Sequence, residues 1–165
     1  MRIETLNETL VQFLRDNITH PDPSHSATDM WIYLDYPRPD ATFPRISVTQ
    51  TDAGSSPVGI DELYADNTQG LLYTFTYDID VWVKSGNVYT IVADNVKRGG
   101  SRLRDYLVDE ILKQLMSQKY SYWKVQKNAI DLSIDSIVTV PYMDEYELYR
   151  KTITITFTFY RERTA

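Results

Sequence analysis

Two stretches of this chain alternate apolar and polar residues for longer than any other local pattern, and they restrict the fold more than composition does. In Leu71–Lys84, Tyr73, Phe75, Tyr77, Ile79, Val81 and Val83 share one parity, and Thr74, Thr76, Asp78 and Asp80 share the other. In Leu148–Arg161, Tyr149, Ile153, Ile155, Phe157 and Phe159 oppose Thr152, Thr154, Thr156 and Thr158. A period of two marks a strand that buries one face and leaves the other wet. The fold must therefore supply a sheet with one apolar face and one Thr/Asp face.

The apolar face needs a cover, and two segments of helical period provide it. Ile3, Leu6, Leu10, Phe13 and Leu14 form a stripe at three- and four-residue spacing, and the helix must end by Asn17–Ile18 because Pro21 and Pro23 follow. Leu103, Leu107, Ile111 and Leu115, flanked by Val108 and Leu112, mark a second helix over Ser101–Gln118 with Ser101 as N-cap. Arg104, Asp105, Asp109 and Lys113 are expected to face away, with Asp109 and Lys113 paired one turn apart. Shorter strands are expected at Met30–Tyr36, at Arg45–Thr51 and at Ile130–Val140, the last with an irregularity near Ser136 where the alternation changes parity. Val88–Ala93 reads equally as a short strand or a helical turn. The Gly/Ser/Asp/Asn-rich stretch from Asp52 to Gly70 has no period and is expected to be a long flexible loop. Together these give one α+β domain over residues 1–165: a mostly antiparallel sheet of five or six strands with two helices packed on one face.

Composition narrows the chemistry. At 165 residues, a single core can bury roughly 70% of the unfolded surface. The sequence contains no cysteine, which removes disulfides, thiolate metal sites and cysteine nucleophiles. Met1–Leu14 carries Glu4 and Glu8 within its apolar pattern and does not read as a signal peptide, and no apolar run approaches the ~20 residues of a membrane helix. A net charge of −6 disfavours nucleic acid or anionic lipid as a default surface partner.

No catalytic constellation stands out, and the expectation is a non-enzymatic protein without cofactor or metal. His20 and His25 lie in a Pro-rich turn with Asp22 and Asp29, at a spacing that matches no metal motif. Asp78 and Asp80 project from one strand face among threonines and read as a solvated face or channel wall. Lys97, Arg98 and Arg102 surround Gly99-Gly100 at a helix start, which reads as a flexible turn or as a contact with an acidic neighbouring subunit; the Gly spacing is not that of a P-loop.

Three phrases carry a resemblance: Phe43-Pro44-Arg45-Ile46-Ser47-Val48, Tyr77-Asp78-Ile79-Asp80-Val81-Trp82-Val83-Lys84, and Gly100-Ser101-Arg102-Leu103-Arg104-Asp105-Tyr106-Leu107. With the order of elements and the closing Thr/Phe strand, they resemble the tail terminator (tail completion) proteins of long-tailed bacteriophages and related tailed viruses. The resemblance implies a hexameric ring of identical copies on the end of the tail tube, which stops tube polymerisation and presents the docking surface for a head-completion or neck protein. It places the protein at the head-proximal end of the virion tail, and in host cytoplasm during assembly, with genome DNA passing through without specific binding. On this reading Thr74, Thr76, Asp78, Asp80, Thr152, Thr154, Thr156 and Thr158 line the lumen as a polar, acidic wall that repels phosphates. Ile60, Leu63 and Tyr64 would anchor an assembly arm, and Lys97, Arg98 and Arg102 a subunit contact. Another head–tail joining or head-completion (neck) protein, or a small-ligand-binding or enzymatic α+β domain, are the alternatives.

Overall fold

In a computed structural model, which describes residues 3–35, 41–57 and 68–164, the two alternating runs become inner strands of one sheet and pair with each other. The elements in chain order are α1 (Ile3–Asn17), β1 (Ile32–Leu34), β2 (Arg45–Pro57), β3 (Thr68–Lys84), β4 (Val88–Ile91), β5 (Val96–Gly99), α2 (Gly100–Ser117), a π-helical segment (Lys119–Gln126), β6 (Ala129–Met143), a 3-10 turn (Asp144–Tyr146) and β7 (Leu148–Thr164). The main sheet has the order β1-β2-β3-β7-β6, with β4 and β5 forming a separate hairpin. Among the described residues only the β1–β2 pairing is parallel. This is the α+β, mostly antiparallel architecture that the patterns predict.

β3 and β7 pair without a break from Thr68↔Thr164 to Lys84↔Leu148. At the rise of an antiparallel strand their 17 residues reach roughly 55 Å. Their apolar parity meets Ile46 and Val48 of β2, Leu6, Leu10, Phe13 and Leu14 of α1, and Leu103, Leu107, Val108, Ile111 and Leu115 of α2 in one core. Each such side chain contributes about 1.5–3 kcal/mol when fully buried. The fully buried Tyr77 on this face has its polar tip satisfied: the hydroxyl donates to Asn7 Oδ1 at 2.6 Å, and burial raises its phenol pKa above the usual value.

Several local expectations change. The period-free stretch is shorter than Asp52–Gly70, because Asp52–Pro57 extends β2 and Thr68–Gly70 extends β3. Backbone ladder bonds to Leu71–Thr76 hold Asp52–Pro57 as strand even though its side chains lack alternation. Val88–Ile91 is a strand, paired with Val96–Gly99, so Lys97 and Arg98 sit in a hairpin and not in a flexible turn. The helix begins at Gly100, and its N-cap is Gly99 with no side-chain cap bond, so Ser101 lies inside the first turn. Gly100 has φ +54°, and an added Cβ would stand 3.1 Å from the Tyr149 ring, so the strand-to-helix corner requires glycine. Arg104 is buried instead of facing away, its guanidinium emerging to meet Asp105 at 2.8 Å. Lys113 reaches Glu110, not Asp109. The Tyr/Trp-rich stretch after α2 is a π-helical segment whose Trp123 closes the core. The irregularity near Ser136 is present as a register shift between Ile134 and Ser136.

Candidate functional site

All buried apolar residues of the helices belong to the core on one face of the sheet, so among the described residues no helix covers the other face. That face is built in cross-strand rows. The first row is Arg45, Trp82, Arg150 and Val140; the next two are Ser47, Asp80, Thr152 and Val138, then Thr49, Asp78, Thr154 and Ser136. Beyond a bulge in β2 follow Asp52, Thr76, Thr156 and Ser133, then Gly54, Thr74, Thr158 and Asp131. The pleat brings all eight residues expected on the polar face, Thr74, Thr76, Asp78, Asp80, Thr152, Thr154, Thr156 and Thr158, onto one surface.

Six of these side chains, Thr76, Asp78, Asp80, Thr152, Thr154 and Thr156, bond to one another across the strands. Thr154 Oγ1 donates to Asp78 Oδ1 at 2.7 Å, Thr152 Oγ1 donates to Asp80 Oδ1 at 2.5 Å, and the hydroxyls of Thr76 and Thr156 lie 2.9 Å apart. The bulge residue Asp135 accepts from Thr156 and Ser133. Asp80 is not the solvated carboxylate expected: it is 2% exposed, gripped by both Arg150 Nε and Nη2 at 3.0 Å. The Arg150 guanidinium lies 4.4 Å from the Trp82 ring centroid, and Trp82 Nε1 donates to Ser47 Oγ at 3.2 Å. The face is therefore polar but not uniformly acidic. Arg150 neutralises Asp80, and the first row is cationic.

At that row Arg45 lies 4.2 Å above the Phe43 ring and 5.6 Å from Trp82, while Lys84 Nζ lies 5.2 Å from Phe43. Arg45 Nε is buried without a hydrogen-bond partner, and desolvation lowers the guanidinium pKa from its ordinary value. Sequence reasoning passed over this group, although Trp82 and Arg150 share the parity of the Asp and Thr runs and could have been placed by alternation alone.

Both long edges of the sheet are open. β1 pairs only with Ile46–Val48, so the outer edge of β2 from Thr49 to Pro57 has no strand partner among the described residues. At the opposite edge β6 has no strand partner on its outer side among the described residues. Its stretch from Ser136 to Val140, which ends at Pro141, contains no charged residue, and Ile137 and Val138 are 45% and 53% exposed. An uncharged, apolar edge strand of this kind pairs readily with another strand.

The other singled-out groups stand apart. Lys97 and Arg102 are exposed. Arg98 is held by Asp94 at 2.5 Å and lies over the Tyr106 ring. These three cations belong to the hairpin and the helix layer, not to the threonine face. Ile60, Leu63 and Tyr64 lie outside the described residues. His20 and His25 stack at 3.7 Å, with Trp31 against His20 at 4.7 Å. Among the described residues no group of three or more His, Cys, Asp or Glu is placed to hold a metal.

Burial, with the neighbouring His25, depresses His20 from 6.5 to about 4. Between those values the unfolded chain takes up a proton that the folded chain refuses, so stability falls as pH drops from about 6.5 to about 4 and levels off below. His20→Gln is expected to flatten that part of the pH profile, read by denaturant titrations at pH 7 and pH 4.5. An NMR pKa for His20 near 6.5 would contradict the packing described.

No family model matches this chain, and no curated protein matches it.

Proposed function

We propose that this protein is a tail terminator: a virion structural protein whose copies close into a ring, expected to be hexameric, on the end of the tail tube. It stops polymerisation there and presents a docking surface for a head-completion protein. The observation that carries this reading is a long sheet with two open edges and one helix-free polar face. Such a sheet extends from copy to copy along its edges while its polar face lines a channel. β2 and β6 are antiparallel to each other within the sheet, so β6 of one copy beside the Thr49–Pro57 part of β2 of the next, which β1 leaves open, continues the antiparallel pattern. The two edges differ, which makes the contact heterologous, the kind that generates rings.

The cross-bonded threonines suit a channel wall. The hydroxyls of Thr76, Thr152, Thr154 and Thr156 are occupied by neighbours on the same sheet, so the middle of the wall is wettable without offering a row of unsatisfied donors to passing DNA phosphates. Asp78 and Asp135, which have no cationic partner among the described residues, add local repulsion. The function is binding and geometry, not catalysis.

Charging the β6 edge tests the assembly. The double variant Ile137→Lys/Val138→Lys is expected to remain folded, within about 1 kcal/mol of the parent because both side chains are half exposed. It is also expected to fail to form rings on tail tubes when assembly is followed by native mass spectrometry and electron microscopy. Normal ring formation by this variant would exclude β6 as the joint.

A further inference from the structure

The polar face changes character at one end. Its middle rows are hydroxyls and carboxylates bonded to one another, whereas its first row holds Arg45, Trp82 and Arg150, and Lys84 stands one row further on the same parity of β3. Asp80 neutralises Arg150, but Arg45 and Lys84 have no ion-pair partner among the described residues. Both lie over the Phe43 ring, at 4.2 and 5.2 Å, so the two charges stand within about 10 Å of each other, a range that salt does not fully screen. The acidic turn before β7 adjoins Lys84, but Glu147 contacts this corner through its backbone carbonyl, which accepts from Ser85 N at 2.9 Å. The group is also fixed in place. Asn87 accepts from Lys84 N at 3.0 Å and donates to Phe43 O at 3.1 Å, tying the end of β3 to the aromatic platform. Arg45 Nη1 reaches only Ala41 O, at 3.5 Å, and Nε has no partner. Two held cations with donors to spare and no counter-charge form a site for an oxyanion.

We propose that Arg45 and Lys84, set against Phe43 and Trp82, are a contact site for the phosphates of duplex DNA at one mouth of the channel. The inference rests on the ring reading above and deepens it by naming where the wall meets the DNA backbone. A surface that faces the channel meets one polyanion, the DNA that passes through it. The Arg45 fork offers N–H donors to a phosphate oxygen and Lys84 adds a second charge; contacts of this kind fix the position of the duplex and carry no sequence information. Phe43 and Trp82 already restrain the Arg45 guanidinium, so little side-chain freedom is lost on binding. Asp78 and Asp135 lie further along the same face and keep the backbone off the wall there. The duplex is thus gripped at one end of the channel and free to slide along the rest.

The test is binding of a labelled DNA duplex by the full chain at low salt, followed by fluorescence anisotropy and by the tryptophan indole N–H resonances. The duplex is expected to shift the Trp82 resonance and to leave those of Trp31 and Trp123 in place. Lys84→Gln and Arg45→Gln are each expected to weaken binding by roughly threefold or more and to lower the slope of log affinity against log salt by about 1. Circular dichroism establishes that each chain is folded, and Lys84, being exposed, keeps the test available if Arg45→Gln does not fold. The double variant Lys97→Gln/Arg102→Gln removes two exposed cations away from the polar face and is expected to leave binding unchanged. No binding by the unaltered chain, or an equal loss from this control, would overturn the site. Displacement of the duplex by inorganic phosphate at equal phosphate concentration would overturn it too, because the ligand would then be free phosphate. Rings that form on tail tubes without any duplex binding overturn the contact site and leave the ring reading intact. Duplex binding by a chain that forms no ring, alone or on tail tubes, overturns the ring reading and with it the place of this site at a channel mouth.

Discussion

Trp123→Ala is expected to lower the free energy of unfolding by about 3–5 kcal/mol, the range for deleting a large buried aromatic. Trp123 has no exposed surface. Its ring lies between Phe13 of α1, at 5.0 Å, and Phe157 of β7, at 4.6 Å, with Tyr122 edge-on at 4.9 Å. The π-helical segment thus joins the first helix to the last strand through one side chain, and the cavity cannot collapse without moving both. The indole Nε1 is buried with no hydrogen-bond partner, so part of what tryptophan contributes by area is offset by an unsatisfied donor. Trp123→Phe removes that donor while keeping an aromatic ring, and should cost no more than about 1–2 kcal/mol. Urea titrations of the three chains check both values. Equal losses for alanine and phenylalanine would mean that the donor is satisfied and that indole shape, not burial, holds the site.

Asp80→Ala is expected to cost about 2–3 kcal/mol. Removing one member of a buried ion pair costs about 3–5 kcal/mol because the other charge is left behind. Arg150 keeps 27% of its side chain exposed, so water recovers part of that loss. Asp80→Asn retains an acceptor for Arg150 and for Thr152 but not the charge, and should fall between alanine and the parent. Combining Asp80→Ala with Arg150→Leu removes the stranded cation and should restore part of the stability. A double variant no better than the sum of the two singles would show that Asp80 and Arg150 act independently.

The sheet was legible because its two main strands alternate strictly, and a two-residue period has no helical reading. α1 was legible for the same kind of reason, with an apolar stripe running into Pro21. What escaped the sequence was decided by partners far along the chain. Asp52–Pro57 has the composition of a loop and becomes strand only because Leu71–Thr76 offers it a ladder. Lys97-Arg98-Gly99 reads as a turn until Val88–Ile91 pairs with it. Asp80 looks solvated until β7 places Arg150 one row away, a contact 70 residues distant in sequence. The polar face was therefore found as a set of positions, whereas its charge balance was not: alternation assigns a side chain to a face, but only the register between strands decides which neighbour neutralises it.

The account turns on one claim, that this sheet continues from copy to copy with its threonine face toward a channel. Electron cryomicroscopy of the chain bound to tail tubes from the same source tests it directly. The expected result is a closed ring capping the tube, with Thr74, Thr76, Thr152, Thr154, Thr156 and Thr158 lining the lumen and β6 of each copy beside β2 of the next. A chain that leaves the tube end bare, or a ring in which that face is buried beneath a neighbour's helices away from the channel, would contradict it.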